Sequence, residues 1–469
     1  MQLKKIVLFL TLFCFFIFGQ AYALESLVLD NGLEVFIEEN HIVPLATIRI
    51  SFRAGAIVET EELNGLCHLY EHMLFKGNDL YKNQEEFMAA LKRMGVGNWN
   101  GGTSTEYVTY YIMVPSDKLE QGLSFWAHAV MTPLLNEEEL LKEQEVVHNE
   151  IAGKQSAPEY ALFKAQLHAL YPDYGYRRDT GGSLDIIDTA TVEKLSFIKN
   201  NYYVPNNAAI FISGDIDPSA AIKMVKKHYG KWQKGPGFPK ITPHKQLPDH
   251  KWIAVDTSPT KGQVKVSFTF RGPDAGIDTD VTYSADVWGQ ILSAPEGKFK
   301  NNLFKAVPEL HGGTRHISAG YFTQRDAGET SFSFVIALTD KTDLWETINR
   351  LRNSLINEIK KMTKENYFSE TELISAKKEL EDHDILSRET AAGYMSNLSF
   401  WWASTSTDYY LSYRDRINSV SASDIQSFTE KYLTGKNLLT AIWINSEDNK
   451  EHKITEKISI ITTSEKASQ

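Results

Sequence analysis

Alternating apolar and polar residues predict that strands dominate the beginning of the chain. Two alternating runs on either side of Asp30-Asn31-Gly32 predict a β-hairpin over 27–37. Apolar and β-branched runs predict further strands over 46–53 and 107–114. Helices follow: apolar residues recur at helical spacing over 119–131, and a second helical run lies directly behind it.

A second set of apolar positions repeats after 230 residues, which indicates an internal duplication. Five residues of the first half align with five residues of the second half. In order, they are Leu195, Ile198, Tyr202, Asn207 and Phe211, aligned with Ile425, Phe428, Tyr432, Asn437 and Ala441. Each half is therefore predicted to end with helix, turn and strand. The Pro- and Gly-rich stretch 235–250 is typical of a linker. The sequence thus predicts an α+β fold with two homologous halves, 24–234 and 251–469.

The first 23 residues are typical of a secretory signal peptide. Lys4 and Lys5 precede an apolar core over 6–18, and Ala21-Tyr22-Ala23 offers a small-x-small cleavage site. The apolar run is short for a membrane span. We therefore expect cleavage after Ala23 and a mature chain that is periplasmic or secreted, with no membrane contact. The alternative is an uncleaved N-terminal anchor.

Charge and cysteine content narrow the functional classes. The formal charge is -11, and removal of the two lysines takes the mature chain to -13. The chain has no dense Lys/Arg block, which argues against a nucleic-acid partner. Cleavage would also remove Cys14, so Cys67 would be left alone and no intramolecular disulfide could form. We interpret Cys67 as a buried structural residue rather than as a metal ligand or nucleophile.

The stretch Gly65–Gly77 puts two imidazoles and a carboxylate on one short predicted helix. His68 and His72 are four residues apart, so they project from the same helix face and can share one metal ion. Glu71 suits a general base better than a third ligand. This His-x-x-Glu-His order is the inverzincin signature, and zinc with an open fourth position is its natural occupant. A water-facing helix could carry these residues without a metal, but an apolar stripe beside them predicts burial.

A metal held by only two histidines needs a third protein ligand. Asn136 is placed to cap a predicted helix that runs from Glu137 to about Lys154. Glu143 and Glu150 lie seven residues apart on this helix and share a face, so one can bind the metal while the other sits behind it. His148 projects to the opposite side.

At this point the sequence resembles the pitrilysin/insulinase family of inverted-motif zinc peptidases, in particular bacterial relatives of the mitochondrial processing peptidase. The family pattern is His-x-x-Glu-His followed downstream by two glutamates seven residues apart, and Glu150 lies 78 residues beyond His72. Further similar segments are Phe75-Lys76-Gly77, Asn100-Gly101-Gly102-Thr103, Pro205-Asn206-Asn207-Ala208 and Gly214-Asp215.

The resemblance implies roles for these residues. His68, His72 and Glu150 would bind one zinc ion, Glu71 would be the general base, and Glu143 would support the site. Asn100 and Gly101 would belong to an edge strand over 98–105 that binds an extended peptide, although the glycines could equally mark a loose turn. The implied architecture is clam-shaped, with two similar sandwich-like halves of antiparallel-rich sheet and helices.

The second half departs from the family pattern. It has no His-x-x-Glu-His, and its aromatic run Phe400-Trp401-Trp402 is interpreted as helix core. Many family members carry an Arg and, seven residues later, a Tyr that hold the substrate carbonyl. Pro308 and Arg315 occupy those positions here. The resemblance therefore implies a heterodimer with a related subunit that supplies the Arg and Tyr. The alternative is a homodimer or monomer in which Arg315 or His316 is the donor.

Two functional hypotheses follow. The first is an exported zinc metalloendopeptidase that hydrolyses unfolded or short peptides through a zinc-activated water and a glutamate base. The second is a non-catalytic peptide-binding or assembly subunit that keeps the peptidase fold. The complete ligand set favours the first hypothesis, and the missing Arg/Tyr pair favours the second.

Overall fold

A computed structural model describes residues 24–239, 246–326 and 328–467. The predicted signal peptide and the middle of the predicted linker lie outside these described residues. The part of the chain that is described contains no helix that is long and apolar enough to cross a membrane.

Six strands form a sheet from the first part of the chain. They are β1 (Glu25–Val28), β2 (Glu34–Glu39), β3 (Leu45–Phe52), β4 (Asn98–Thr103), β5 (Val108–Pro115) and β6 (Ala208–Gly214). Their order across the sheet is β1-β2-β6-β3-β5-β4. The predicted hairpin is present, because β1 and β2 pair antiparallel around the predicted turn. The β4 strand lies at one edge of the sheet and pairs with β5.

Five strands form a second sheet. They are β7 (Lys251–Val255), β8 (Gln263–Arg271), β9 (Ser318–Phe322), β10 (Glu329–Ala337) and β11 (Leu439–Trp443), in the order β7-β11-β8-β10-β9. In each sheet the last strand along the chain pairs parallel with one neighbour and antiparallel with the other. The two sheets therefore share one topology, which confirms the predicted two-domain α+β fold.

Helices pack on both sheets. In the first part they are α1 (Leu66–Leu74), α2 (Gln84–Arg93), α3 (Leu119–Met131), α4 (Glu137–Gln155), α5 (Tyr160–Leu170), α6 (Leu184–Asp188), α7 (Val192–Tyr202) and α8 (Pro218–Tyr229). In the second part they are α9 (Thr279–Ser293), α10 (Lys298–Ala306), α11 (Leu344–Met362), α12 (Glu370–Ser387), α13 (Ala391–Ser404), α14 (Thr407–Leu411), α15 (Tyr413–Ser419), α16 (Ala422–Tyr432), α17 (Ser446–His452) and α18 (Ile454–Ala467).

The repeat seen in the sequence corresponds to α7 followed by β6 and to α16 followed by β11. The prediction that each half ends there was wrong. Helix α8 follows β6, and α17 and α18 follow β11. The matched apolar positions cover only α7 to β6 and its counterpart α16 to β11. They therefore gave no information on the helices that come after each strand. Where the chain divides into domains stays a prediction.

The two halves exchange helices. Helix α5 of the first half packs on β7 and β11, and α13 of the second half packs on β3 and β6. Trp402 on α13 is buried against Phe211 of the first sheet, and the Arg53 guanidinium lies 3.9 Å from its ring centroid. The predicted aromatic helix core is therefore in part a core shared between the halves.

Candidate metal centre

Helix α1 begins at a point where two chain segments touch. Gly65 precedes the helix with φ 101°, and a Cβ atom there would lie 2.6 Å from Cα of Gly182. The backbone N–H groups of Gly65 and Cys67 donate to the Glu59 carboxylate at 2.8 and 2.7 Å. An anion at this position satisfies the free N–H groups and the positive end of the helix dipole. These contacts hold the N-terminal end of α1 in place, directly before His68.

The imidazoles of His68 and His72 converge with the carboxylate of Glu150. Nε2 of His68 lies 3.8 Å from Oε1 of Glu150, and Nε2 of His72 lies 3.7 Å from Oε2. One ligand atom from each residue can be chosen so that all three lie within 4.8 Å of one another. Helices α1 and α4 pack together and bring these side chains to one point.

The Nδ1 atoms of His68 and His72 each have a hydrogen-bond partner. Nδ1 of His68 lies 3.2 Å from the carbonyl oxygen of Gly181, and Nδ1 of His72 lies 3.1 Å from Oε2 of Glu143. Carbonyl oxygens accept hydrogen bonds and cannot donate them, so Nδ1 of His68 carries the hydrogen. The Glu143 carboxylate also accepts a hydrogen bond, so Nδ1 of His72 carries the hydrogen as well. Both Nε2 atoms then present lone pairs toward Glu150.

Glu143 lies behind the centre in a buried ion pair. Nζ of Lys76 is 2.5 Å from Oε1 of Glu143, and it also donates to Oε1 of Gln84 at 3.0 Å. Burial alone would raise the pKa of Glu143, but its bonds to His72 and Lys76 outweigh burial and lower it. The carboxylate therefore stays charged and holds the His72 ring in place.

This donor set fits zinc. Two imidazole nitrogens and one carboxylate oxygen are the ligands of catalytic zinc sites that keep one position open. Ligand atoms about 2.1 Å from a tetrahedral ion lie about 3.4 Å apart, close to the distances between Glu150 and the two histidines. A cation would also relieve the repulsion between two nitrogen lone pairs and a carboxylate that face each other.

Glu71 stands beside this cluster with a different partner. Its side chain is 8% exposed, and Oε2 accepts a hydrogen bond from Oγ1 of Thr103 at 2.6 Å. Burial raises the pKa of the Glu71 carboxyl, and the bond to Thr103 opposes that rise. Thr103 ends β4, so the edge strand positions this carboxylate.

The segment of β4 that contains Asn100 and Gly101 runs past Glu71. A Cβ atom at Gly101 would lie 3.1 Å from Oε1 of Glu71 and 2.9 Å from the Phe75 ring. Asn100 is exposed, and its Oδ1 accepts from the N–H of Gly101. Gly101 therefore permits a close approach between the strand and the carboxylate. Whether the strand binds a peptide stays a prediction.

Four other candidate residues are not part of the cluster. Nδ1 of His148 is 2.8 Å from Oδ1 of Asp188, as its predicted direction requires. Cys67 is fully buried, and burial raises the pKa of its thiol. Pro308 lies two residues after the end of α10, is exposed and has no N–H to donate. The His316 ring lies 5.5 Å from that of His311.

The sequence-based prediction gave no supporting role to three further residues. Glu59 anchors the start of α1, Gly181 fixes the His68 ring, and Thr103 holds Glu71. Gly181-Gly182 offered one signal, since paired glycines mark close backbone approach. Thr103 is 32 residues from its partner Glu71, so no local spacing connects them. Glu59 lies only six and eight residues before Gly65 and Cys67, but no recognised pattern marks this contact.

Two sequence models of peptidase domains match this chain. A sequence model described as insulinase (peptidase family M16) matches residues 34–182, and one described as the peptidase M16 inactive domain matches residues 189–380. The second model covers a region without the zinc motif. Its match begins at residue 189, before β6, so the matched region includes the last strand of the first sheet.

Named relatives include zinc proteases. The chain is 26% identical over 370 residues to the uncharacterized zinc protease YmxG of Bacillus subtilis, covering 78% of this chain and 85% of that protein. It is 28% identical over 207 residues to zinc protease PqqE of Helicobacter pylori, which covers 44% of this chain and 46% of that protein. The mitochondrial-processing peptidase subunit beta of Blastocladiella emersonii is 27% identical over 233 residues, half of each chain.

Solved structures share the fold. A protease from Helicobacter pylori superposes with a TM-score of 0.75 at 19% identity, covering 90% of this chain and 99% of that one. The first half of the periplasmic protease PqqL from Escherichia coli gives a TM-score of 0.73 at 17% identity, covering 95% and 97%.

Proposed function

Because the chain belongs to the insulinase family of peptidases, family M16, we propose that it is a zinc endopeptidase that hydrolyses unfolded or short peptides. The convergence of His68, His72 and Glu150, with Glu71 next to them, is the observation that carries this proposal. The three converging residues would hold one zinc ion per chain.

Bound zinc supplies a Lewis acid that polarises a peptide carbonyl and makes a water acidic enough to attack near neutral pH. Glu71 takes the proton of the attacking water and passes it to the leaving nitrogen, a role that needs a carboxylate close to the metal but outside its ligand set. Glu143 and the Gly181 carbonyl keep the histidine rings oriented through both steps.

The form of substrate follows from β4. Its outer edge has no strand partner among the described residues, so an extended peptide can add to it through backbone hydrogen bonds. Asn100 and Gly101 would pair with that peptide through their backbone, and Gly101 lets the strand run close to Glu71. Rigid folded proteins do not offer such a segment. The alternative of a loose turn at the glycines is wrong, because Gly101 and Gly102 pair with Tyr110 and Thr109 of β5.

A second subunit is part of the proposal. One relative is named as a subunit of a processing peptidase, and Pro308 cannot replace an arginine as a donor to the substrate. We therefore propose a heterodimer with a related chain that supplies the Arg and Tyr. In the homodimer or monomer alternative, Arg315 or His316 takes that role. A non-catalytic peptide-binding subunit is the second candidate function, favoured by the same departure.

Export to the periplasm or medium is proposed from the predicted signal peptide, and a fold neighbour is named as periplasmic. The proposed activity is tested by loading the mature chain with zinc and incubating it with unstructured peptides, with products identified by mass. New termini that disappear with a chelator and return with zinc support the endopeptidase. Peptide binding without any new termini, even after addition of the related subunit, supports the non-catalytic candidate.

A further inference from the structure

The duplication identifies equivalent positions in the two halves. The 230-residue repeat aligns Val204 and Asn206, just before β6, with Thr434 and Lys436, just before β11. Each pair lies in the turn between the last helix of the repeat and its strand. The surroundings of the two turns can therefore be compared directly.

The strand next to each turn contributes an equivalent phenylalanine. The residue before Phe52 on β3 pairs with Ala209 of β6. The residue before Phe270 on β8 pairs with Leu439 of β11, which lies 230 residues beyond Ala209. Phe270 is thus the counterpart of Phe52.

In the first half, the chain that follows α8 covers this position. Trp232 is buried, and its ring centroid lies 6.1 Å from that of Phe52. A Cβ atom at Gly235 would lie 2.5 Å from Cγ1 of Val204, and the Asn206 amide forms two hydrogen bonds with the Gly235 backbone, at 2.8 and 2.9 Å. The chain itself therefore supplies an aromatic residue that packs against the phenylalanine.

In the second half, the equivalent position is a pocket of about 170 Å³. Phe270, Leu433 and Ile359 are buried and give it an apolar floor. Gly435 is at its rim, and nothing lies within 4 Å of where a Cβ atom of this glycine would be. Among the described residues, none that follows β11 lines the pocket, so Trp232 has no counterpart there.

The rim of this pocket carries positive charge. Lys360 of α11 and Lys436 line it, and none of the described residues in the lining is an aspartate or a glutamate. In the described part of the chain, neither ammonium group has a hydrogen bond or an ion pair. Asp249 and Glu358 adjoin lining residues in sequence, but each pairs with a different lysine, at 2.6 and 2.8 Å. The pocket therefore attracts an anion, on a chain whose formal charge is -11.

We propose that this pocket binds an aromatic side chain with a carboxylate beside it, as at the C-terminus of a peptide. The ring takes the place that Trp232 occupies in the first half, and Lys360 and Lys436 donate to the carboxylate. The change from Asn206 to Lys436 agrees with this ligand: the amide binds an uncharged backbone, whereas an ammonium group suits an anion. The site is separate from the metal centre and goes beyond the proposed peptidase function.

Peptide titration tests the pocket. The ligand is a short, unstructured, Ala- and Ser-rich peptide that ends in Trp with a free carboxylate and carries a label at its N-terminus. It is titrated into the Glu71→Gln variant of the mature chain, which avoids cleavage, once with zinc and once after treatment with a chelator. Amidation of the C-terminus should weaken binding about fivefold. Replacement of the last Trp by Ser should weaken it about tenfold, and both effects should be the same with and without zinc.

Charge reversal locates the site. Lys360→Glu combined with Lys436→Glu should abolish the preference for the free carboxylate. The matched control is Lys223→Glu combined with Lys226→Glu, which reverses two exposed lysines of α8 outside the pocket and should leave the preference intact. Hydrogen exchange of the 433–438 backbone should slow when the peptide binds.

N-acetyltryptophan separates two sources of the same chemistry. Affinity equal to that of the peptide assigns the pocket to a free aromatic acid, and clearly weaker binding assigns it to a chain terminus.

Equal affinity for the acid and amide peptides, or equal effects of the two double variants, would overturn the site. A preference for the carboxylate that disappears with zinc would place the ligand at the metal centre and overturn the pocket as well. None of these results bears on the peptidase proposal, which is tested by cleavage.

Discussion

Oε2 of Glu143 lies 3.1 Å from Nδ1 of His72, and the opposite oxygen of the same carboxylate pairs with Lys76. One buried glutamate thereby connects a proposed zinc ligand to a buried lysine. The bond fixes the ring orientation and makes Nε2 the nitrogen that faces Glu150.

Glu143→Gln should weaken zinc binding by about 10- to 100-fold, because an amide holds the imidazole less firmly and leaves Lys76 without its charged partner. Competition with a calibrated chelator measures the affinity. Glu145→Gln, an exposed position on the same helix, is the control and should bind zinc like the wild type. Equal affinities in the two variants would show that Glu143 does not support the ligand.

Local spacing predicted which candidate ligands share a helix face, whereas the choice of Glu150 over Glu143 as the third ligand came from the family resemblance. His68 and His72 share a helix face by spacing alone, and Glu143 and Glu150 do the same on α4. The contact between Gly181 and His68 depends on how a distant loop folds. No periodicity within α1 reports such a contact.

The fold was also predicted where the pattern is local and missed where it depends on distant parts of the chain. The strands over 46–53 and 107–114 and the duplicated helix–strand unit follow from apolar patterns within short windows. The exchange of α5 and α13 between the halves was not foreseen. An amphipathic helix has an apolar face in either case, and its pattern does not say which sheet that face will cover.

Trp402→Ala should lower the free energy of unfolding by about 3–5 kcal/mol, since it opens a cavity between α13 and the first sheet. Urea titration followed by circular dichroism measures the change. Phe322→Ala removes an aromatic ring that is 62% exposed and should change stability by about 0.5 kcal/mol or less. A small effect at Trp402 would mean that the halves do not depend on this contact.

Asp286 should make stability depend on pH. Burial raises the pKa of its carboxyl to about 7, and Tyr413 donates to it at 3.0 Å. The folded chain therefore holds a proton that the unfolded chain releases near pH 4, so this residue lowers stability as pH rises from about 4 to 7. Asp286→Asn removes the cost of the buried charge.

Unfolding titrations at pH 5 and pH 8 test whether Asp286 lowers the free energy of unfolding more at the higher pH. Asp286→Asn should be more stable than wild type by roughly 1–3 kcal/mol at pH 8, and the gain should shrink at pH 5. Asp280→Asn changes an exposed carboxylate on the same helix and should show no such difference. A gain that is the same at both pH values would contradict the buried titration.

The proposed second subunit makes a kinetic prediction. Loss of one donor to a developing oxyanion costs about 100- to 1000-fold in rate, so the chain alone should cut unstructured peptides slowly. Addition of a related subunit that lacks the zinc motif and carries the Arg and Tyr should raise the rate by a factor in that range. Rapid turnover by the purified chain alone would rule out the need for that partner.

Zinc content and peptide cleavage, measured on the same preparations of four proteins, test the metal centre most directly. Wild type and Glu71→Gln should each bind one zinc ion, and only the wild type, with the related subunit present, should cut peptides. His68→Ala and Glu150→Gln should lose the metal and the activity together. Full zinc occupancy in either ligand variant, or normal cleavage by Glu71→Gln, would contradict the assignment of these residues.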